Sequence, residues 1–381
     1  MSAPVRARVA VSLLYVIMSV PIGGWAARVP EIRRQVGADD ALWGLANTVP
    51  SLGNVAGLCV IVLLVGRVPN RLLGVAGAAL VLLTVPPLAA SGSFAAVVLG
   101  LSTWALVSFV MAVPMGALAL EVQRRYGRPL MGGFDACFGA GTLAGGLTGT
   151  LAAALEVRPW AQFVLTSALL GLCLAATARW LPREAGGGAG RLRGRFTRGV
   201  LPLTAMAFLS GFVSEAAMLW NAVYVSDTMG AGPVAGGVSY TVAATTGTVA
   251  LLAVDRVTAR LGLARTVRAC TLFAAGGFGL CLLIGTPAAA VAGFVVLGVG
   301  MAAVNPALYT MAAHQEGLSP SEGVSMVELG QFPGASIVAP ALIGALSGLA
   351  GLRLALASIV VAALLLSALA VRLRPAGDRV W

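Results

Sequence analysis

Twelve apolar runs, most of them about twenty residues long, decide what this chain can fold into. They lie at roughly 8–27, 41–65, 72–91, 94–120, 130–155 and 160–180, then at 200–222, 234–254, 266–285, 288–312, 320–347 and 352–372. A bilayer core takes about 20 apolar residues per helix, so each run is long enough to cross one. Only 10% of the 381 residues are charged, against about a quarter in ordinary globular chains. A protein this poor in charge has lipid as its solvent. The expected fold class is all-α, a polytopic membrane protein of twelve transmembrane helices with no room for a separate soluble domain.

All 25 basic residues are arginine, and they stand in the gaps between runs. That placement points to topology and anionic lipid headgroups and away from nucleic acid. With the N-terminus inside, 20 of the 25 fall on the cytoplasmic side. The outer loops hold Arg28, Arg33, Arg34, Arg158 and Arg353. Such an asymmetry places both termini in the cytoplasm. Arg6 and Arg8, an apolar core and Ala26-Ala27 mimic a signal peptide, but eleven further spans favour an uncleaved first helix. The five cysteines lie in apolar runs without a CxxC pair, and the single histidine, His314, sits at a helix end. Neither pattern suggests a disulfide framework, a metal or a cofactor.

The stretch Pro182–Gly199, PREAGGGAGRLRGRFTRG, is Gly- and Arg-rich and lacks apolar periodicity. It is read as a cytoplasmic linker (182–199) between two six-helix halves, 1–181 and 200–381. The halves echo one another. Arg67-Val68 and Arg71-Leu72 return as Arg256-Val257 and Arg260-Leu261. Trp25 with Ala27 returns as Trp220 with Ala222, Pro114 as Pro306, Gln123 as Gln315, and Asp135 with Gly141 as Glu328 with Gly334. Matches in constant order and near-constant offset, in halves of the same orientation, make a parallel repeat.

With the six-plus-six layout, the linker and the basic turns after spans 2 and 8, the chain resembles the major facilitator superfamily over essentially its whole length. That family's turn between its second and third helices reads Gly-x-x-x-Asp-Arg-x-Gly-Arg-Arg. The second half keeps Asp255, Arg256 and Arg260, whereas the first has Gly66 in the acid's place, followed by Arg67 and Arg71. The resemblance implies that Arg67, Arg71, Asp255, Arg256 and Arg260 act in a cytoplasmic gate. The segment Trp25–Ile32 is similar to a group of bacterial facilitator proteins. Drug/proton antiporters of the superfamily carry Gly-Pro-x-x-Gly-Gly in span 5. Here Gly141-Thr142-Leu143-Ala144-Gly145-Gly146 keeps the glycines without the proline, a partial resemblance that implies a slight tilt toward export.

Carboxylates inside a bilayer are expensive and therefore functional candidates. Ser319-Pro320-Ser321-Glu322 has the form of a capping box, and a rise of 1.5 Å per residue puts Glu328 about 12 Å into span 11. Ser321, Ser325, Glu328 and Gln331 share one helix face. Asp135 in span 5 and Glu215 in span 7 are the other two candidates for proton coupling, since no span interior offers an arginine to pair with them. Glu121, beside Arg124 and Arg125, reads as a solvated end charge. Tyr15, Asn54, Trp104, Ser108, Met111, Met115, Asp135, Thr241, Thr245, Thr248, Asn305 and Gln331 are candidates to line a central cavity, although a threonine equally bonds back to its own helix. Trp25 and Trp220 fall where interfacial aromatic belts lie.

The expected activity is secondary transport of a small neutral or amphipathic organic solute across a bacterial cytoplasmic membrane by alternating access, coupled to protons, with export slightly favoured. The expected partners are the solute, protons and membrane lipids, and the expected state is a monomer. Uptake of a sugar-like solute and a transport-inactive sensor of the same fold remain open. An enzyme would need a nucleophile–base set or metal ligands, and an ATP-driven pump a Walker-type loop; neither is present in the sequence. A reporter fused at Gly187 should read cytoplasmic in a topology assay, and an outward signal there would undo the arrangement.

Overall fold

A computed structural model describes residues 3–64, 67–127, 130–182, 200–313, 327, 330–331 and 334–371. Lipid offers no water to backbone N–H and C=O groups, so a spanning segment must close its hydrogen bonds internally. Among the described residues there is helix and no strand. Eleven helices are long and apolar enough to cross a membrane, and Ala335–Ala350 is a shorter apolar one. In chain order the helices are α1 (Ala3–Gln35), α2 (Asp40–Thr48), α3 (Ser51–Leu64), α4 (Asn70–Ala89), α5 (Phe94–Tyr126), α6 (Met131–Ala154) and α7 (Pro159–Thr177). They continue as α8 (Val200–Val223), α9 (Gly232–Leu261), α10 (Leu263–Ile284), α11 (Pro287–Met301), α12 (Val304–Ala313), α13 (Ala339–Ala350) and α14 (Leu352–Ala370). Large apolar side chains such as Leu83, Leu172, Leu252 and Leu283 stand exposed, as lipid-facing positions do. The linker from 183, His314, Gln315, the capping box at 319–322, Ser325 and Glu328 lie outside the described residues.

Two compact units emerge: residues 1–38 with 49–190, and residues 39–48 with 191–381. In the first, α1 packs on α6 through a seam of glycines. Gly141, Gly145 and Gly149 recur every fourth residue, which keeps them on one helix face. A Cβ on Gly145 would overlap the Val20 carbonyl oxygen, and one on Gly141 would overlap the Ser19 hydroxyl. The glycine run that tilted the sequence reading toward export is thus a packing seam of the kind small residues make in membranes. A second such contact joins α4 to α5, where Gly77 lies against Met111. Met111 has no exposed surface there, which corrects the expectation that it faces a cavity.

The second unit repeats the device. Gly211 of α8 lies against the Gln331 backbone, and Gly330 against Thr204. These are the repeat partners of α1 and α6. Ser93 and Thr286, which open the equivalent spans 4 and 10, both accept a hydrogen bond from the third residue of their helices, at 3.3 Å from Ala96 and 3.2 Å from Ala289.

Three spans differ from the sequence reading. Helix α1 continues to Gln35 and carries Arg28, Glu31, Arg33 and Arg34 within it. Span 2 is interrupted at residues 49–50, where Pro50 lacks an N–H, and yields α2 and α3. Span 10 is interrupted at Ala302-Ala303 between α11 and α12, while span 4, with the matching Pro114, runs unbroken as α5. Helix α2 belongs to the second unit, where its Gly44 approaches the Gly344 backbone of α13 so closely that a Cβ would sit 2.8 Å from the Gly344 Cα. Beside it the Ser347 hydroxyl donates to the Asp40 carboxylate.

The glycine seam makes a stability prediction. Gly145→Ala should lose about 1–3 kcal/mol in unfolding from mixed micelles, because α1 must move to admit the methyl. Gly171→Ala, in α7 with open space around it, should be neutral or stabilising. Equal effects of the two substitutions would refute the seam.

Candidate functional site

A cavity of about 380 Å³ lies inside the second unit, bounded by α8, α9, α11 and the first turn of α12. Its wall is mostly apolar, with Met218, Phe294 and Leu297 the bulkiest contributors. Polar groups reach it from Ser214, Asn221, Tyr240, Thr248 and Asn305. A concave apolar pocket with a few placed polar groups is the usual form of a small-molecule site. The two amides are held from behind. Ser239 donates to Asn221 Oδ1 at 2.5 Å, and Ser210 donates to Asn305 Oδ1 at 2.7 Å.

Glu215 follows Ser214 on α8, is partly buried, and lies within electrostatic reach of Tyr240. Of the threonines expected to line this region, Thr248 does so, but its hydroxyl donates back to the Ala244 carbonyl at 2.8 Å. Thr245 likewise bonds back, to Thr241 at 2.7 Å, and neither Thr241 nor Thr245 lines the cavity. Gln331 packs with its backbone against α8 at Gly211 and is not in the cavity wall either. Asn305 is the sequence candidate that the cavity takes in fully. Asn221, Tyr240 and Ser214 were missed, although Ser210, Ser214 and Asn221 stand four and seven apart, a polar stripe on one face of α8.

In the first unit Tyr15 is buried and stacks on Phe134, with ring centroids 5.5 Å apart. The neighbouring Asp135 is exposed and within electrostatic reach of the Tyr15 hydroxyl. Asn54 on α3 and Ser108 on α5 are partly buried. Trp104 meets Trp25 edge to face at 5.9 Å. Trp25 and Trp220 are both buried, which overturns their placement in an interfacial belt.

One turn beyond Trp25, Arg28 is wholly buried. Its Nη2 donates to the Val157 carbonyl in the turn that follows α6 and pairs with Glu31 at 3.0 Å. Its Nε and Nη1 have no partner among the described residues. Arg28, expected in an outer loop, thus lies inside a helix: α1 outruns its apolar stretch and takes Arg28 with it. Val157 lies in the turn three residues past Ala154, and its carbonyl gives the guanidinium an acceptor there.

Among the basic turns, Arg67 is exposed and donates to the Leu63 carbonyl at 2.8 Å. Arg71 reaches the Ala178 carbonyl after α7 at 3.3 Å. Arg256 and Arg260 are exposed on α9, which also carries Asp255. Glu121 pairs with Arg124 at 2.7 Å and Arg125 at 2.9 Å, as an end charge does. Among the described residues no three potential metal ligands gather.

The family model for the Major Facilitator Superfamily matches residues 11–316. An uncharacterized MFS-type transporter of Yersinia pestis is 26% identical over 351 residues, covering 91% of each chain. An uncharacterized transporter of Sinorhizobium fredii is 26% identical over 352 residues, 89% of this chain and 91% of its own. The fold matches the crystal structure of the nucleoside transporter NupG with a TM-score of 0.78 at 11% identity, over 98% of this chain and 99% of that one. It also matches a bacterial homolog of the human lysosomal transporter Spinster, inward-facing and unoccupied, at 0.76 and 16% identity, over 97% and 96%.

The Arg28–Glu31 pair is open to a direct test. Arg28→Met should cost about 3 kcal/mol, since it strands a carboxylate and a carbonyl in a buried place. Arg28→Met with Glu31→Leu should recover part of that loss in the same unfolding assay. A double variant as unstable as the two single losses combined would show that the pair is not coupled.

Proposed function

Because this chain belongs to the major facilitator superfamily, we propose that it is a proton-coupled secondary transporter that moves a small neutral or amphipathic organic solute across the bacterial cytoplasmic membrane by alternating access. The observation that carries the reading is Glu215. It is a carboxyl group inside a spanning helix, beside a mostly apolar cavity, with no hydrogen bond or ion pair among the described residues. A membrane-embedded acid is costly unless it serves transport. One that lies next to the solute's cavity can take up and release a proton as water enters and leaves.

Asp135 is proposed to contact solute from the first unit, beside Tyr15. Glu328 is proposed as a second proton carrier on span 11. Asp255, Arg256 and Arg260 are proposed to latch the cytoplasmic side, and α2, held on α13 by Gly44 and Asp40, to separate from it as the transporter alternates. The protein works as a monomer in this proposal, with both termini cytoplasmic.

Reconstitution into liposomes tests the assignment. Glu215→Gln and Glu328→Gln should each be assayed for accumulation driven by a pH gradient and for exchange of labelled against unlabelled solute. Exchange needs no net proton movement, so a proton carrier's loss abolishes accumulation and spares exchange. Asp135→Asn should weaken both. Accumulation that persists in the Glu215→Gln, Glu328→Gln double variant would exclude these carboxyls as proton carriers.

A further inference from the structure

The two asparagines of the cavity are fixed in a way that says what they read. A side-chain amide has one acceptor end and one donor end. In both Asn221 and Asn305 the acceptor oxygen is taken by a serine hydroxyl, from Ser239 at 2.5 Å and Ser210 at 2.7 Å. The hydrogen bonds given for both side chains are made by the oxygen, among the described residues none is made by either amide nitrogen, and both residues line the cavity. The cavity is therefore offered two –NH2 groups, one from α8 and one from α12, whose orientation the serines hold.

Charge narrows the solute further. Glu215 lies beside Tyr240, and Tyr240 is in the wall. Ionised, that carboxyl opposes an anion, and among the residues that line the wall none is charged to pair with an ion of either sign. The rest of the wall, including Met218, Phe294 and Leu297, is apolar. A volume near 380 Å³ falls at the small end of the pockets that enclose drug-sized ligands.

We propose that this cavity selects an uncharged solute with an apolar, ring-sized body and hydrogen-bond acceptors such as carbonyl oxygens, which Asn221 and Asn305 bind through their serine-held amide nitrogens. The inference rests on reading this cavity as the solute site, but it concerns binding alone. A protein that binds with this selectivity and fails to transport would contradict the transporter reading and leave the present one standing.

Three probes with one apolar body and different heads test it: N,N-dimethyl-2-naphthamide, 2-naphthoate and N,N,N-trimethyl-2-naphthylammonium. Each is measured by equilibrium dialysis of the detergent-purified full chain against protein-free micelles. The neutral amide should bind at least about tenfold more tightly than either ion, and Asn221→Ala or Asn305→Ala should each weaken it about five- to tenfold, the loss of one hydrogen bond. Asn221→Asp keeps the shape and the acceptor for Ser239 but replaces the donor with negative charge. It should move the preference to the trimethylammonium probe, which a merely structural role for Asn221 would not do. Ser239→Ala, which frees the amide without emptying the site, should weaken the neutral probe less than Asn221→Ala and serves if the latter fails to fold. Tighter binding of either ion by the parent protein, binding of none of the three, or an unchanged preference in Asn221→Asp would overturn the proposal.

Discussion

Between helices in lipid there is no hydrophobic drive, because a lipid tail is as apolar as a leucine, so contact between helices must be made by close approach of backbones. Each unit rests on this constraint. Gly141 and Gly145 let α6 settle on α1 at Ser19 and Val20, and Gly211 and Gly330 let α8 meet the start of span 11 at Gln331 and Thr204. The positions of the functional side chains follow from that approach. Phe134 and Asp135 stand on the same helix as the glycine seam, which sets them beside Tyr15. Seating α8 by Gly211 fixes the neighbouring turn, from which Ser210, Ser214, Glu215 and Asn221 project.

The fold was largely legible because its signal is long. Twenty-residue apolar runs and an arginine bias are read over whole segments, and single errors do not disturb them. What escaped were features decided by tertiary contact. The hydropathy of α1 falls after residue 27, yet the helix continues, because the Val157 carbonyl, Glu31 and the Ala38 carbonyl give Arg28 and Arg33 partners along its last turns. Trp25 and Trp220 sit at belt height in the sequence, and only packing, against Trp104 for the first, shows that they face inward. The site was half legible. Asn305 could be picked out as a polar residue before a proline in an apolar span. Asn221, hidden next to Trp220, gave only the weak periodic signal that it shares with Ser210, and Ser239 gave none.

Three arginines meet the chain where helices end. Arg28 at Val157, Arg71 at Ala178 and Arg353 at Leu282 and Leu283 each bring a guanidinium to carbonyl oxygens where a helix ends. Val157 lies in the turn after α6, Ala178 directly after α7, and Leu282 and Leu283 in the last turn of α10, where carbonyls carry the helix's negative pole. A delocalised, permanently charged fork suits them better than a strongly hydrated ammonium, and the chain's basic residues are all arginine. Where these arginines reach the end of a helix, they give its carbonyls a partner.

The grouping of α2 with α13 has a consequence for synthesis. Asp40 and Ser347, which share a hydrogen bond, are separated by 307 residues of chain. At about 5–20 residues per second on the ribosome, some 15–60 s pass between the appearance of α2 and that of its partner. For that interval the Gly44 face of a short helix, carrying Trp43, waits in or at the bilayer without the surface it fits. The nascent protein therefore completes this part of its second unit by retrieving a segment made 307 residues earlier, and whatever occupies that face in the meantime, lipid or an assisting protein, must leave before the last two helices can be seated.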